Sequence, residues 1–238
     1  MFHLRSTAVS TLCVLALVGT ASADLIINGN YSAGNSGFTS SYSYVTDAGP
    51  GLPNIFTEST YSVAGPDTIH PSWADFADHT GDAAGKYMVV NGWDSQTRPT
   101  SPGAAWAQTV NAGADSGMYS LSAYFAALFD QNRAGLEFRV YDLDNANALV
   151  AQSSPSFATT QPNGTWQLQS LLFAMAANTN YSVQIWDTSG IANGNDYAID
   201  DVRLTSVVPL PPAALAGLSS LAGVGLLAAI RRKRLAKA

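Results

Sequence analysis

The chain has 238 residues, with 11 Lys and Arg against 17 Asp and Glu and a formal net charge of −6. Every acidic residue lies between Asp24 and Val207, where Lys86, Arg98, Arg133, Arg139 and Arg203 are the only Lys and Arg; nucleic acid and anionic membrane are poor partners for a surface so acidic, and cations and neutral ligands good ones. The single cysteine, Cys13, stands near the N-terminus, so the rest of the chain has no thiol nucleophile, thiolate metal site or disulfide.

The first segment, MFHLRSTAVSTLCVLALVGTASADL, carries Arg5, a short apolar stretch from Thr11 to Val18, and the small-x-small pattern Ala21-Ser22-Ala23. That order predicts a signal peptide over 1–23, cut between Ala23 and Asp24; a membrane helix that stays in place is the alternative. The remaining stretch, 24–207, has the length of one domain with a full core.

From Leu25 onward the hydrophobic period is two, punctuated by Gly, Asn and Pro. Leu121, Ala123, Phe125 and Ala127 point one way and Ser120, Ser122 and Tyr124 the other. Leu136, Phe138 and Val140 alternate with Glu137, Arg139 and Tyr141, and Tyr181, Val183 and Ile185 with Ser182, Gln184 and Trp186. Further strands are predicted in LIIN, FTSSYSYV, KYMVVNG, AAWAQTV, TWQLQSLLF and YAIDDVRL. So many short strands between turn clusters predict an all-β fold, an antiparallel β-sandwich of jelly-roll type. Thr46 to Gly85 breaks the spacing with Pro, Gly and the polar run HPSWADFADHTGDAAG, and reads as a long loop.

Two places offer ligand-binding chemistry. One is the outward stripe of Arg139, Tyr141, Gln184 and Trp186, because sugars are held by flat aromatic faces and planar polar groups; a solvated sheet face or a second buried layer is the alternative. The other is the loop carrying Trp73, Asp75, Asp78, His79 and Asp82, together with Trp93. His70 and His79 match no metal-binding spacing, and hydrogen bonds within the loop account for them as well. Trp106 and Trp166 stand among apolar neighbours and read as core.

In YAIDDVRL, strict alternation sets Asp200 on the core side with Val202 and Leu204, and Asp201 outward. An inward carboxylate must be hydrogen-bonded, paired or bound to a cation. Asn28 and Asn30 near the start of the domain add oxygens of the kind Ca²⁺ takes, although bonds from Asp200 to backbone amides answer the same demand. Asn28-Gly29-Asn30-Tyr31 and the closing Tyr197 to Leu204 resemble the jelly-roll carbohydrate-binding modules of the galactose-binding-like fold. The resemblance implies a structural Ca²⁺ joining first and last strands, with Asp200 as first ligand and Asn28 or Asn30 after it.

The chain closes on Val208-Pro209-Leu210-Pro211-Pro212, an uncharged run from Ala213 to Ile230, and the basic tail 231–238 beginning Arg231, Arg232, Lys233 and Arg234. As a helix the run would extend about 27 Å at ~1.5 Å per residue, close to the hydrocarbon thickness of a bilayer, with the basic end cytoplasmic. The tripartite segment 208–238 resembles a PEP-CTERM sorting signal in a Val-Pro-Leu-Pro variant. That resemblance implies processing by an exosortase-type protease during export of a bacterial protein to the cell surface or extracellular matrix; a permanent transmembrane anchor is the alternative.

No Gly-x-Ser-x-Gly elbow or His-Glu-x-x-His helix is present, and the only glutamates are Glu58 and Glu137. The sequence therefore predicts an exported, non-catalytic protein that binds glycan. A structural matrix protein or anchored adhesin without a sugar site is a second reading. A secreted glycan hydrolase drawing its carboxylates from Glu58, Asp75 or Asp78 is a third.

Overall fold

The computed structural model describes residues 23–47, 55–64, 70–114, 116–153, 157–159, 161–191 and 194–207. The expected signal peptide and the whole sorting signal, Val208 to Ala238, lie outside the described residues. In chain order the strands are β1 (Ser43–Tyr44), β2 (Thr60–Ala64), β3 (Tyr87–Asn91), β4 (Ala104–Asn111), β5 (Gly117–Ala127), β6 (Gly135–Asp142), β7 (Ala148–Gln152), β8 (Phe157–Ala158), β9 (Gln167–Met175), β10 (Asn180–Asp187) and β11 (Tyr197–Ser206). Among the described residues there is no helix.

The strands form two sheets packed face to face. One has the order β1-β2-β3-β11-β5-β9, the other β4-β10-β6-β7 with β8 also on β6. Every pairing is antiparallel except β1 with β2. Alternation is what makes the sandwich: Leu121, Ala123 and Phe125 of β5 face Leu136, Phe138 and Val140 of β6 and Tyr181, Val183 and Ile185 of β10 in one buried cluster. The rings of Phe125 and Phe138 meet across the layers at 5.8 Å. Trp106 on β4 is fully enclosed there, as its apolar neighbours foretold.

A second cluster lies on the outer side of the six-stranded sheet. Ile55, Trp73, Tyr87, Val89, Leu128 and Ala198 form it, and Phe76 and Trp166 pack against it. The segment around residues 70–85 thus covers that sheet, and β2 and β3 are buried on both faces. For this reason β2 gives no alternating signal and falls inside what the sequence presents as loop.

Three expectations need correction. LIIN is not a strand: Asp24 just before it makes an isolated bridge to Thr205, and the Leu25 amide donates to the Leu204 carbonyl at 2.9 Å. Of FTSSYSYV only Ser43–Tyr44 is extended in a sheet. Asp200 does not face the sandwich core, because β11 shifts register against β5 between Asp200 and Arg203, with Asp201 at φ 47°. Asp is among the few residues that accept this left-handed region. The bulge advances the inward set from Tyr197 and Ile199 to Val202 and Leu204, and both aspartates go to the outer side.

Candidate functional site

The solvent face of the β4-β10-β6-β7 sheet brings four sequence-selected residues together. Antiparallel pairing sets Ser182 opposite Tyr141, Gln184 opposite Arg139 and Trp186 opposite Glu137. All four selected side chains are half-buried, neither open to water nor covered.

Arg139, Gln184 and Trp186 hold one another, together with Glu137 and Ser182. The Arg139 guanidinium lies over the Trp186 ring, 4.2 Å from its centroid, and donates through Nε and Nη2 to Glu137 Oε2 at 2.9 and 2.8 Å. Trp186 Nε1 donates to Gln184 Oε1 at 2.7 Å, and Gln184 Nε2 donates to Ser182 Oγ at 2.9 Å. A relay of this kind fixes rotamers before any ligand arrives, which lowers the ordering cost of binding. Because the guanidinium is already paired with Glu137, the face offers planar hydrogen-bonding groups and an indole with little net charge.

A rim rises beside this ladder. Thr39 bridges Ala107, the Ser41 amide donates to the Ala104 carbonyl at 2.9 Å, and between rim and ladder lies a hollow of about 340 Å³ bordered by Thr39, Ser41, Ser182, Gln184 and Trp186. Gly103 permits the approach: it has φ 119°, and a Cβ there would come within 2.5 Å of Ser41 Oγ. Sequence reasoning missed the rim residues, whose contact with β4 is long-range. It also missed Glu137, although Glu137 shares a strand face with Arg139 two residues on.

The other two selected tryptophans do not join this site. Trp73 is buried in the second cluster, its Nε1 donating to Asp196 Oδ2 at 3.0 Å. Trp93 is half-buried against the main core, its Nε1 donating to the Arg98 carbonyl at 2.7 Å. Both indoles brace loops; neither is an open platform. Asp196 also accepts from the Gly92 amide, and burial, ahead of the Asp187 charge, pushes its carboxyl up to about 6. Glu58 nearby is pushed up to about 7, first by burial and then by Asp196, Asp94 and Asp187.

Asp200 and Asp201 are gripped from above. Asp200 Oδ2 accepts from the His79 amide at 3.0 Å and Oδ1 from the Asp201 amide. Asp201 Oδ2 stands 2.7 Å from His79 Nδ1, and Arg203 reaches its Oδ1 at 3.2 Å. The His79 ring also stacks on Tyr124 at 3.3 Å. Burial, countered by the His79 and Asp201 amides, raises the Asp200 carboxyl to about 6. The cation demand inferred from the sequence is met here by protein donors.

The three residues assigned to calcium are engaged elsewhere. Asn28 donates to the Gly34 and Ser36 carbonyls and accepts from the Ala33 amide, while Asn30 Oδ1 accepts from Ser32. Among the described residues, no three His, Asp or Glu side chains are grouped to hold a metal ion. The first and last segments do meet: the Val202 amide donates to the Gly29 carbonyl at 3.0 Å. A hollow of about 460 Å³ beside them is bordered by Asn30, Asp78, Asp82, Asp200 and Asp201, with Lys86 and Arg203 opposing their charge.

No protein-family model and no curated protein matches the chain. Among solved structures it is similar to a xylan-binding carbohydrate-binding module from Paenibacillus barcinonensis, at 11% identity over 81% of this chain and 99% of that one, TM-score 0.42. A family 16 carbohydrate-binding module matches at 15% identity over 76% and 99%, TM-score 0.38. The enzymatically active domain of a bacteriophage CBA120 tailspike protein matches at 15% over 77% of this chain and 21% of that one, TM-score 0.45. What each of these binds or cleaves belongs to that protein.

Proposed function

We propose that the domain 24–207 is a non-catalytic, jelly-roll binding module for neutral glycan chains, and that Trp186, Arg139, Gln184 and Tyr141 form its contact face. The observation that carries this reading is the locked ladder itself. An indole, a guanidinium and an amide are held side by side on a solvent-facing sheet, above a hollow wide enough for a sugar ring. Flat groups of this sort pack on the C–H faces of pyranosides while their edges bond hydroxyls. The Arg139–Glu137 pair argues against anionic ligands, since the guanidinium on this face is already neutralised by a carboxylate. Electrophoresis of the protein through gels containing neutral or uronic-acid polysaccharides tests this: retardation by a neutral polymer that disappears in Trp186→Ala supports it. Equal mobility in every gel would favour a matrix protein or adhesin without a sugar site.

Export to the cell surface or extracellular matrix, with exosortase-type processing of 208–238, belongs to the same proposal and rests on the resemblance of the tail. A structural calcium at Asp200, with Asn28 or Asn30 beside it, is proposed on the jelly-roll resemblance alone, these being oxygen donors of the kind a hard cation takes. A melting temperature that rises with calcium and falls back in chelator supports it, and an unchanged one removes it.

A further inference from the structure

We infer that β9 is a seam through which two copies of this chain pair, joining their six-stranded sheets edge to edge. β9 ends its sheet: it is bonded to β5 along one side, and among the described residues no strand pairs with the other. Alternate backbone N–H and C=O groups on that side form a template for a further strand, which proteins ordinarily blunt with Lys, Pro or a bulge. β9, QLQSLLFAM, has no charge and no proline, and its register with β5 runs without a shift.

The exposed side chains of the edge are uncharged, and the large ones are apolar. Leu168 and Leu172 are 54% and 60% exposed, and Met118, alongside on β5, is 46% exposed. β7 lies against β9 where the other sheet ends; it too carries no charge, and it exposes Leu149 and Val150. An uncharged, greasy side is thus assembled from the ends of both sheets.

The chemistry favours a second copy over a different partner. Antiparallel pairing of β9 with itself about Leu171 sets Leu168 opposite Ala174 and Ser170 opposite Leu172, so each exposed leucine meets a small residue, and two-fold symmetry makes each contact twice. On a chain of net charge −6, most other appositions of two copies bring like charges together, whereas this side brings none. A nine-residue edge of about 30 Å, on a side roughly 20 Å across two layers, gives about 600 Å² per copy. Doubled, that reaches the roughly 1,200 Å² at which specific interfaces begin. Trp186 and Gln184 lie on β10, outside this seam, so the pairing does not depend on glycan binding.

The test is the protein mass of the full chain in non-ionic detergent, by light scattering after gel filtration, for the wild type and for Leu168→Lys/Leu172→Lys. We expect two chains for the wild type and one for the variant, with far-ultraviolet circular dichroism unchanged. Should the lysine variant fail to fold, Cys13→Ser/Ser170→Cys/Leu172→Cys is oxidised instead, and a covalent dimer is expected. A single-chain wild type, a folded lysine variant that keeps the mass of two chains, or a cysteine variant that stays monomeric on oxidation overturns the inference.

Discussion

The guanidinium of Arg139 rests on the indole of Trp186 at 4.2 Å, from an adjacent strand and on the water-facing side of the sheet. Each then holds a further neighbour, Glu137 for the arginine and Gln184 for the tryptophan. Removing one member should loosen the others. Arg139→Ala is expected to weaken glycan binding about tenfold, corresponding to the ~1 kcal/mol of a half-exposed cation–π contact plus lost positioning. The same change should move the melting temperature by only a degree or two. Isothermal titration with the retained polysaccharide, beside a melting curve, separates the two effects.

The clasp of His79 over Asp200 and Asp201 is a stability element. His79→Ala leaves Asp201 with Arg203 alone and is expected to cost about 1.5–3 kcal/mol, the range for hydrogen bonds to charged groups. In His79→Ala/Asp201→Asn the loss should be smaller than the sum of the two single changes, because the buried charge is gone. Urea unfolding of the four variants gives the coupling directly.

Acid should stabilise this domain before it harms it. Asp196 and Asp200 sit near 6 and Glu58 near 7 in the folded chain, above the ordinary carboxylate value near 4. The native state therefore binds more protons than the unfolded one between about pH 4 and 7, and stability falls as pH rises through that window. Melting temperatures are expected to be higher at pH 5 than at pH 7.5, and the difference should shrink in Glu58→Gln/Asp196→Asn.

Core and edge should respond differently to truncation. Phe138 is fully buried against Phe125, so Phe138→Ala is expected to cost roughly 3–5 kcal/mol. Leu168→Ala, on the exposed side of β9 in the single chain, should stay within about 0.5 kcal/mol when measured at protein concentrations too low for two copies to pair. Chemical denaturation of each variant checks the contrast.

Where one face of a strand is buried and the other wet, the fold could be read from the residues: β5, β6 and β10 alternate as their composition requires. Arg139, Tyr141, Gln184 and Trp186 were legible for the same reason. β2 was hidden because the 70–85 segment covers its outer face, so Thr60 to Ala64 are all buried and nothing alternates. Strict alternation puts Asp200 on the wrong side because it cannot foresee a bulge, which Asp201 at a left-handed φ marks in the structure. Trp73 looked like a loop platform since its cover, the second cluster, is assembled from distant strands. Thr39 and Ser41 reach the site through contacts with β4 that no local pattern announces.

The proposed processing is open to direct measurement. Intact mass of the protein recovered from the host envelope and medium should correspond to a chain that starts at Asp24 and ends between Pro209 and Pro212. A species that retains Arg231 to Ala238 would point to a permanent anchor.

Trp186, and not the loop tryptophans, is the indole expected to meet the ligand. The chain has five tryptophans, so the indole N–H region of a proton–nitrogen correlation spectrum is small enough to assign by single Trp→Phe changes. On titration with an oligosaccharide cut from the retained polymer, the Trp186 resonance should move while those of Trp73, Trp93, Trp106 and Trp166 stay in place. A Trp186 signal that holds still while Trp73 or Trp93 shifts, or no shift at saturating ligand, would contradict a contact face built on Trp186.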